Sequence, residues 1–165
     1  MRALEPAGGA GPRPAVELEH VFDYEVRLRP PVVLGRAQYG TRIFYEVLEG
    51  RISGPRLQGE VLSGGGDWAL VDDDGWTRVD VRGQARSDDG ALLYFCYRGL
   101  IEPAPAIAAA LQSGGETSFE DQYWRASIEV ETADPRYRWL TQSVLVGRGR
   151  ICAGPGVAYQ VFRIG

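Results

Sequence analysis

The sequence contains no lysine: all 18 of its basic residues are arginine. This excludes chemistry that runs through a lysine amine, from Schiff bases and pyridoxal phosphate attachment to the lysine of a phosphate-binding loop. A GC-rich genome accounts for the bias, and that origin is the one hint of a role in secondary metabolism. Histidine occurs once, as His20, so a serine triad could rest only on His20 and any site that needs two histidines is excluded. Cys96 and Cys152 are the only cysteines, both in strand-like segments. Each reads as a small apolar core residue rather than a nucleophile, half of a disulfide or part of a zinc site. No apolar run approaches the ~20 residues that span a bilayer, and no basic, then apolar, leader opens the chain. A net charge of −4 lacks the basic footprint of a nucleic-acid binder. The expectation is a cytoplasmic protein with neither nucleic acid nor membrane as partner.

What the chain has in plenty is short alternating segments separated by glycine, proline and aspartate. Residues 1–14 are rich in Gly, Pro and Ala and read as a disordered tail. From Val16 a period of two sets in, with Leu18, His20, Phe22, Tyr24, Val26 and Leu28 on one face and Glu17, Glu19, Asp23, Glu25 and Arg27 on the other. Pro30-Pro31 ends that strand. Further strands are expected at 32–34, 41–48, 56–62, 68–71, 76–86, 91–98, 123–132, 143–151 and 157–164. Asp-Gly turns at 74–75 and 89–90 favour positive φ. The Ala-rich stretch 105–112, stopped by Ser113-Gly114, is the best helix candidate, and Asp134-Pro135 opens a single turn through Trp139. Residues 15–165 therefore read as one all-β domain of about ten antiparallel strands with one or two short helices. Such a sheet avoids open edges by closing into a barrel, and a β-sandwich is the alternative.

Several local signatures come together between residues 54 and 99. They are Gly54-Pro55-Arg56-Leu57, Gly64-Gly65-Gly66-Asp67-Trp68, Asp80-x-Arg82, Arg86-Ser87-Asp88-Asp89-Gly90 and Tyr94 with Arg98-Gly99. With Glu25-Val26-Arg27, Tyr137-x-Trp139-Leu140 and Val146-Gly147, this set resembles the domain of unknown function 3237, a family of small bacterial proteins, over about 16–164. The resemblance implies a calycin-like β-barrel with a pocket at one end and no settled activity. The chain departs from the family pattern at Thr141, where asparagine is expected, at Gly66 in place of alanine, and at Gly83 in place of a bulkier aromatic.

Candidate site residues follow from chemistry. Asp67, after three glycines and beside Trp68, is placed to be a general base if burial raises its pKa, or else a turn residue capping backbone amides. His20 is the reserve acid–base group. Arg98, sharing a face with Tyr94 and Cys96, or Arg125, could hold an oxyanion. Asp80 and Arg82 share a face that is either a charged lumen orienting a ligand or a solvated exterior. Tyr24, Trp68, Tyr94, Tyr123 and Trp124 complete the expected pocket. The acidic runs at 72–74 and 88–89 lack the ligand spacing of a calcium loop, and Gly147-x-Gly149 lacks a dinucleotide context. The reading is a cofactor-independent, metal-free enzyme acting on a small, partly hydrophobic metabolite by cyclisation, isomerisation or addition. A carrier or sensor for such a small-molecule ligand is the alternative, and a solidly packed lumen would instead mark a structural module. A homodimer through an exposed strand face stays open.

Overall fold

The computed structural model describes residues 15–165, so the tail expected over 1–14 lies outside the described residues. The strands are β1 (Leu18–Leu28), β2 (Val32–Ala37), β3 (Gly40–Ser53), β4 (Gly59–Val71), β5 (Thr77–Ser87), β6 (Leu92–Ile101), β7 (Trp124–Glu131), β8 (Leu145–Cys152) and β9 (Gly156–Ile164). They form one antiparallel sheet in the order β1-β9-β8-β7-β6-β5-β4-β3-β2, and β1 also pairs with β3. That last pairing closes all the strands but β2 into a barrel. Closure, rather than a sandwich, is how this chain removes its sheet edges. β2 pairs with the first half of β3, taking over the edge of β3 that β1 leaves at Leu28. The break between them is Pro30-Pro31, which has no amide hydrogen to donate to a ladder.

The sheet has nine strands, fewer than expected, because the segments at 56–62 and 68–71 are parts of one strand. The triple glycine between them reads as a turn, yet it lies inside β4. Pairing jumps from Leu62↔Gln84 to Gly66↔Arg82, so β4 advances four residues while β5 advances two. The surplus is absorbed as a bulge at Ser63 to Gly65, where Gly64 has φ +91°, a conformation cheap only for glycine.

Two helices close on the barrel. α1 (Pro105–Ser113) has proline in its first turn and ends on Gly114 in the left-handed region, as its sequence predicts. It sets Ala110 and Ile107 against the core. The Asp134 carboxylate accepts the Arg136 amide at the start of a 3-10 turn, which leads into α2 (Arg138–Thr141). Tyr137 and Leu140 of this unit are buried, and the Arg56 guanidinium lies 4.0 Å above the Trp139 ring.

Alternation sorts the wall into two faces. Val79, Val81 and Ala85 of β5, Leu93, Phe95 and Tyr97 of β6, and Trp124, Ala126, Ile128 and Val130 of β7 point in and are buried. Burying a side chain such as Phe22 or Val161 contributes about 1.5–3 kcal/mol. The interleaved charged residues point outward and pair across strands, as in Arg27–Glu49, Arg51–Asp88 and Arg86–Glu60. The polar strand faces thus look to water, not into the lumen.

Candidate functional site

Asp67 is the carboxylate that the fold carries inside. Its partner on β3 is Tyr45 and its partner on β5 is Val81, which in turn faces Tyr97 on β6. Directly opposed residues share a face. Val81 and Tyr97 are core residues, so Asp67 projects into the barrel from mid-strand rather than from a flexible turn. Across the interior, Tyr24 of β1 and Tyr159 of β9 are also opposed. Their rings stack 5.1 Å apart and nearly parallel, while the Tyr97 ring lies 6.1 Å from Tyr24 and 5.3 Å from Tyr159. The Trp124 indole N–H donates to the Tyr159 hydroxyl at 2.7 Å. The Tyr24 hydroxyl is buried and has no hydrogen-bond partner. A native structure rarely leaves such a group unpaired without a reason.

The electrostatics follow from this enclosure. Loss of water pushes the Asp67 carboxyl up to about 7. The hydrogen bond that its Oδ1 accepts from the Asp80 amide, at 3.0 Å, and the charge of Arg42 pull it back, while the charge of Asp80 adds to the rise. Burial raises the phenols of Tyr24, Tyr45, Tyr97 and Tyr159 as well, with the charge of Asp67 a further cause in each. Near neutrality Asp67 is divided between its two protonation states, and the surrounding phenols stay protonated. A proton acceptor of matched pKa therefore stands beside neutral hydrogen-bond donors.

Of the residues expected to form the site, the structure brings together Asp67, Tyr24 and Trp124. The others lie elsewhere. Trp68 is the neighbour of Asp67 in sequence and so points out, packing on Phe44 with ring centres 4.9 Å apart. Asp80, Arg82 and Arg98 form a loose outer cluster, in which Asp80 Oδ1 is 3.5 Å from Arg82 and 3.8 Å from Arg98. The Arg98 side chain is 74% exposed, on the far side of the wall from Asp67. Tyr94 lines a shallow outer cleft of about 540 Å³ with Gln84, Glu131 and Thr132. Tyr123 is exposed against Trp76, and the Arg125 guanidinium sits 5.1 Å over its ring while bonding the Trp124 carbonyl.

His20 is displaced for a different reason. The β1–β9 register slips between His20 and Phe22, so Val21 and Phe22 are both buried and the face changes. His20 therefore lies at the surface, its Nε2 2.8 Å from Asp23. Sequence reasoning missed Tyr45, Tyr97 and Tyr159. The signal was present for Tyr97, since Leu93, Phe95 and Tyr97 form the more apolar of the two faces of β6.

No helix among the described residues is long and apolar enough to cross a membrane. The model of a protein family of unknown function, DUF3237, matches residues 16–164. A UPF0311 protein of Clostridium acetobutylicum is 30% identical over 129 residues, which span 78% of this chain and 82% of the relative. The crystal structure of a conserved protein of unknown function from Rhodopseudomonas palustris is similar at a TM-score of 0.84 and 25% identity, covering 93% of this chain and all of that one. The structure of an enzyme from Penicillium herquei shares the fold at a TM-score of 0.68 and 17% identity, over 94% of this chain and all of that one. With its fold and nearly its whole length matched, this chain belongs to the DUF3237 family of proteins of unknown function.

Proposed function

We propose that this protein is a cofactor-independent enzyme that moves a proton on a small, partly hydrophobic metabolite held inside the barrel. Cyclisation, isomerisation and addition are the reactions that need no more than this. The observation that supports the reading most is Asp67 itself, an interior carboxyl with a pKa near 7 that shares the barrel interior with the buried phenols of Tyr24, Tyr97 and Tyr159, the Tyr24 hydroxyl having no hydrogen-bond partner. In this reading ionised Asp67 takes a proton from carbon or oxygen. The Tyr24 hydroxyl donates to the substrate oxygen on which negative charge develops, and it stays a donor because burial holds it protonated. Tyr159, locked by Trp124, and Tyr97 hold Tyr24 in place. The Asp80 amide fixes one carboxylate oxygen, which leaves the other for the substrate. That a protein of the same fold from Penicillium herquei is described as an enzyme fits this reading through the fold alone. The role in secondary metabolism rests on the arginine-only composition.

The test is untargeted mass spectrometry of a producer-cell extract incubated with wild type, Asp67→Asn and Tyr24→Phe. A feature that is consumed, or that changes retention time at constant mass, with wild type only is the expected result. Equal conversion by Asp67→Asn removes Asp67 from the mechanism. Compounds retained but never altered favour the second reading, a carrier, which the rigid stack of Tyr24 on Tyr159 supports as a binding wall.

A further inference from the structure

Glycines that face the barrel interior are, with one exception, packed tight. A Cβ added at Gly59, Gly65, Gly99, Gly147 or Gly149 would come within 2.3–2.9 Å of a neighbouring atom. Gly83 differs, because a Cβ there would meet nothing within 4 Å. Yet Gly83 sits in the inward-facing row of β5, between buried Val81 and Ala85 and opposite buried Phe95. It is also half-exposed, unlike the residues on either side of it in that row. Room for a side chain therefore stands unfilled at this step of the row. The cause lies next door. The β4 bulge at Ser63 to Gly65 interrupts the ladder alongside Gly83, and no side chain fills the gap.

This space borders the site already described. Gly83 is the next inward residue after Val81, the partner of Asp67, which puts the two positions about 7 Å apart along the strand. Its own partner Phe95 packs edge-on against Phe22, with ring centres 6.2 Å apart. At the Asp67 end stand Tyr97 and the buried, unpartnered hydroxyl of Tyr24. The surroundings of Gly83 are apolar, and the next inward step of the row faces a proton acceptor, Asp67, in the same interior as the Tyr24 hydroxyl.

We infer that Gly83 opens an apolar subsite in the barrel, which takes an uncharged hydrocarbon limb of the ligand while the ligand's polar end is delivered to Asp67 and Tyr24. The polar half of this inference rests on the proposed function; the apolar half does not. A charged limb is disfavoured, because Phe95, Phe22 and Val81 offer it no partner. Gly83 is a specificity-determining position, since any larger side chain would occupy the limb's place without disturbing the wall.

The experiment uses fluorobenzene as the probe, with its binding followed by fluorine NMR, and compares wild type, Gly83→Ala, Gly83→Leu and Asp67→Asn. The expected result is binding by wild type and by Asp67→Asn, two- to threefold weaker binding by Gly83→Ala, and at least tenfold weaker binding by Gly83→Leu with unchanged circular dichroism. Should Gly83→Leu fail to fold, the graded loss in Gly83→Ala decides the matter. Wild type that does not bind the probe, or equal binding by the Gly83 variants, overturns the subsite. Loss of binding in the Gly83 variants together with an extract that is never converted leaves the subsite standing and rejects the enzyme.

Discussion

The two faces of this barrel wall treat the same side chain in opposite ways. Inside, Asp67 is largely withdrawn from water and its carboxyl rises to about 7. Outside, at the cap, the Arg136 guanidinium beside Asp134 holds its carboxyl down to about 2. Asp73, bonded to Arg36, and Asp89, bonded to Ser87, are also lowered. Asp67 and Asp80 even share a hydrogen bond across one strand pair, yet one faces tyrosines and the other arginines. Composition does not decide between these fates; strand parity does. An interior carboxylate with raised pKa weakens the folded state when ionised, which a protein tolerates where function needs it.

Exchanging the interior acid is the strongest way to break this contrast. Asp67→Asn is expected to lower turnover of any substrate found in the extract by about 10²–10⁴-fold. With wild type, turnover should rise with pH through about 7, as the carboxyl ionises; a rate flat from pH 5 to 9 would count against Asp67 as the base.

Stability should respond to the same titration with a definite sign. Below about pH 4 the carboxyl is protonated in both the folded and the unfolded chain. Between about 4 and 7 the unfolded chain has released a proton that the folded chain keeps, so stability falls as pH rises, and above 7 it levels off. The full loss is about 4 kcal/mol at most. Asp67→Asn should flatten this limb in thermal melts from pH 4 to 8. The outer carboxylates act in the opposite sense: the support they give is lost as pH falls toward their lowered pKa values.

Packing sharpens the contrast further. Gly149→Ala would place a Cβ 2.6 Å from the Trp124 ring and should cost about 1–3 kcal/mol in denaturant unfolding. Gly83→Ala, with an ordinary φ and open space, should be neutral or stabilising by up to about 1 kcal/mol. Trp124→Phe would strand the Tyr159 hydroxyl and should cost about 1–3 kcal/mol, whereas Tyr24→Phe removes a hydroxyl that bonds nothing and should leave stability nearly unchanged. The smallest effect is expected outside: Arg98→Ala should change stability by no more than about 0.5 kcal/mol, because its exposed, loose contact with Asp80 is screened by water.

Much of this molecule was legible in the chain itself. Period-two alternation, the Asp-Gly turns and the proline break mark an all-β barrel, because one buried face per strand is a local property of the sequence. The Ala-rich helix with its glycine stop and the Asp134-Pro135 turn were legible for the same reason. Asp67 could be singled out by its residue type, and the absence of lysine and of a second histidine narrows the chemistry without any coordinates.

Tertiary structure decided the rest. The triple glycine became a bulge because β4 has paired strands on both sides, which a local turn signal cannot reveal. His20 left the apolar face because a register slip of one residue reverses every side chain beyond it. Above all, only closure of the barrel, bringing β1 against both β9 and β3, sets Tyr24 and Tyr159 in the same interior as Asp67 and Tyr97. A sequence specifies which side chains alternate. Which face is enclosed, and therefore which acid loses its water, is settled only when the sheet meets itself.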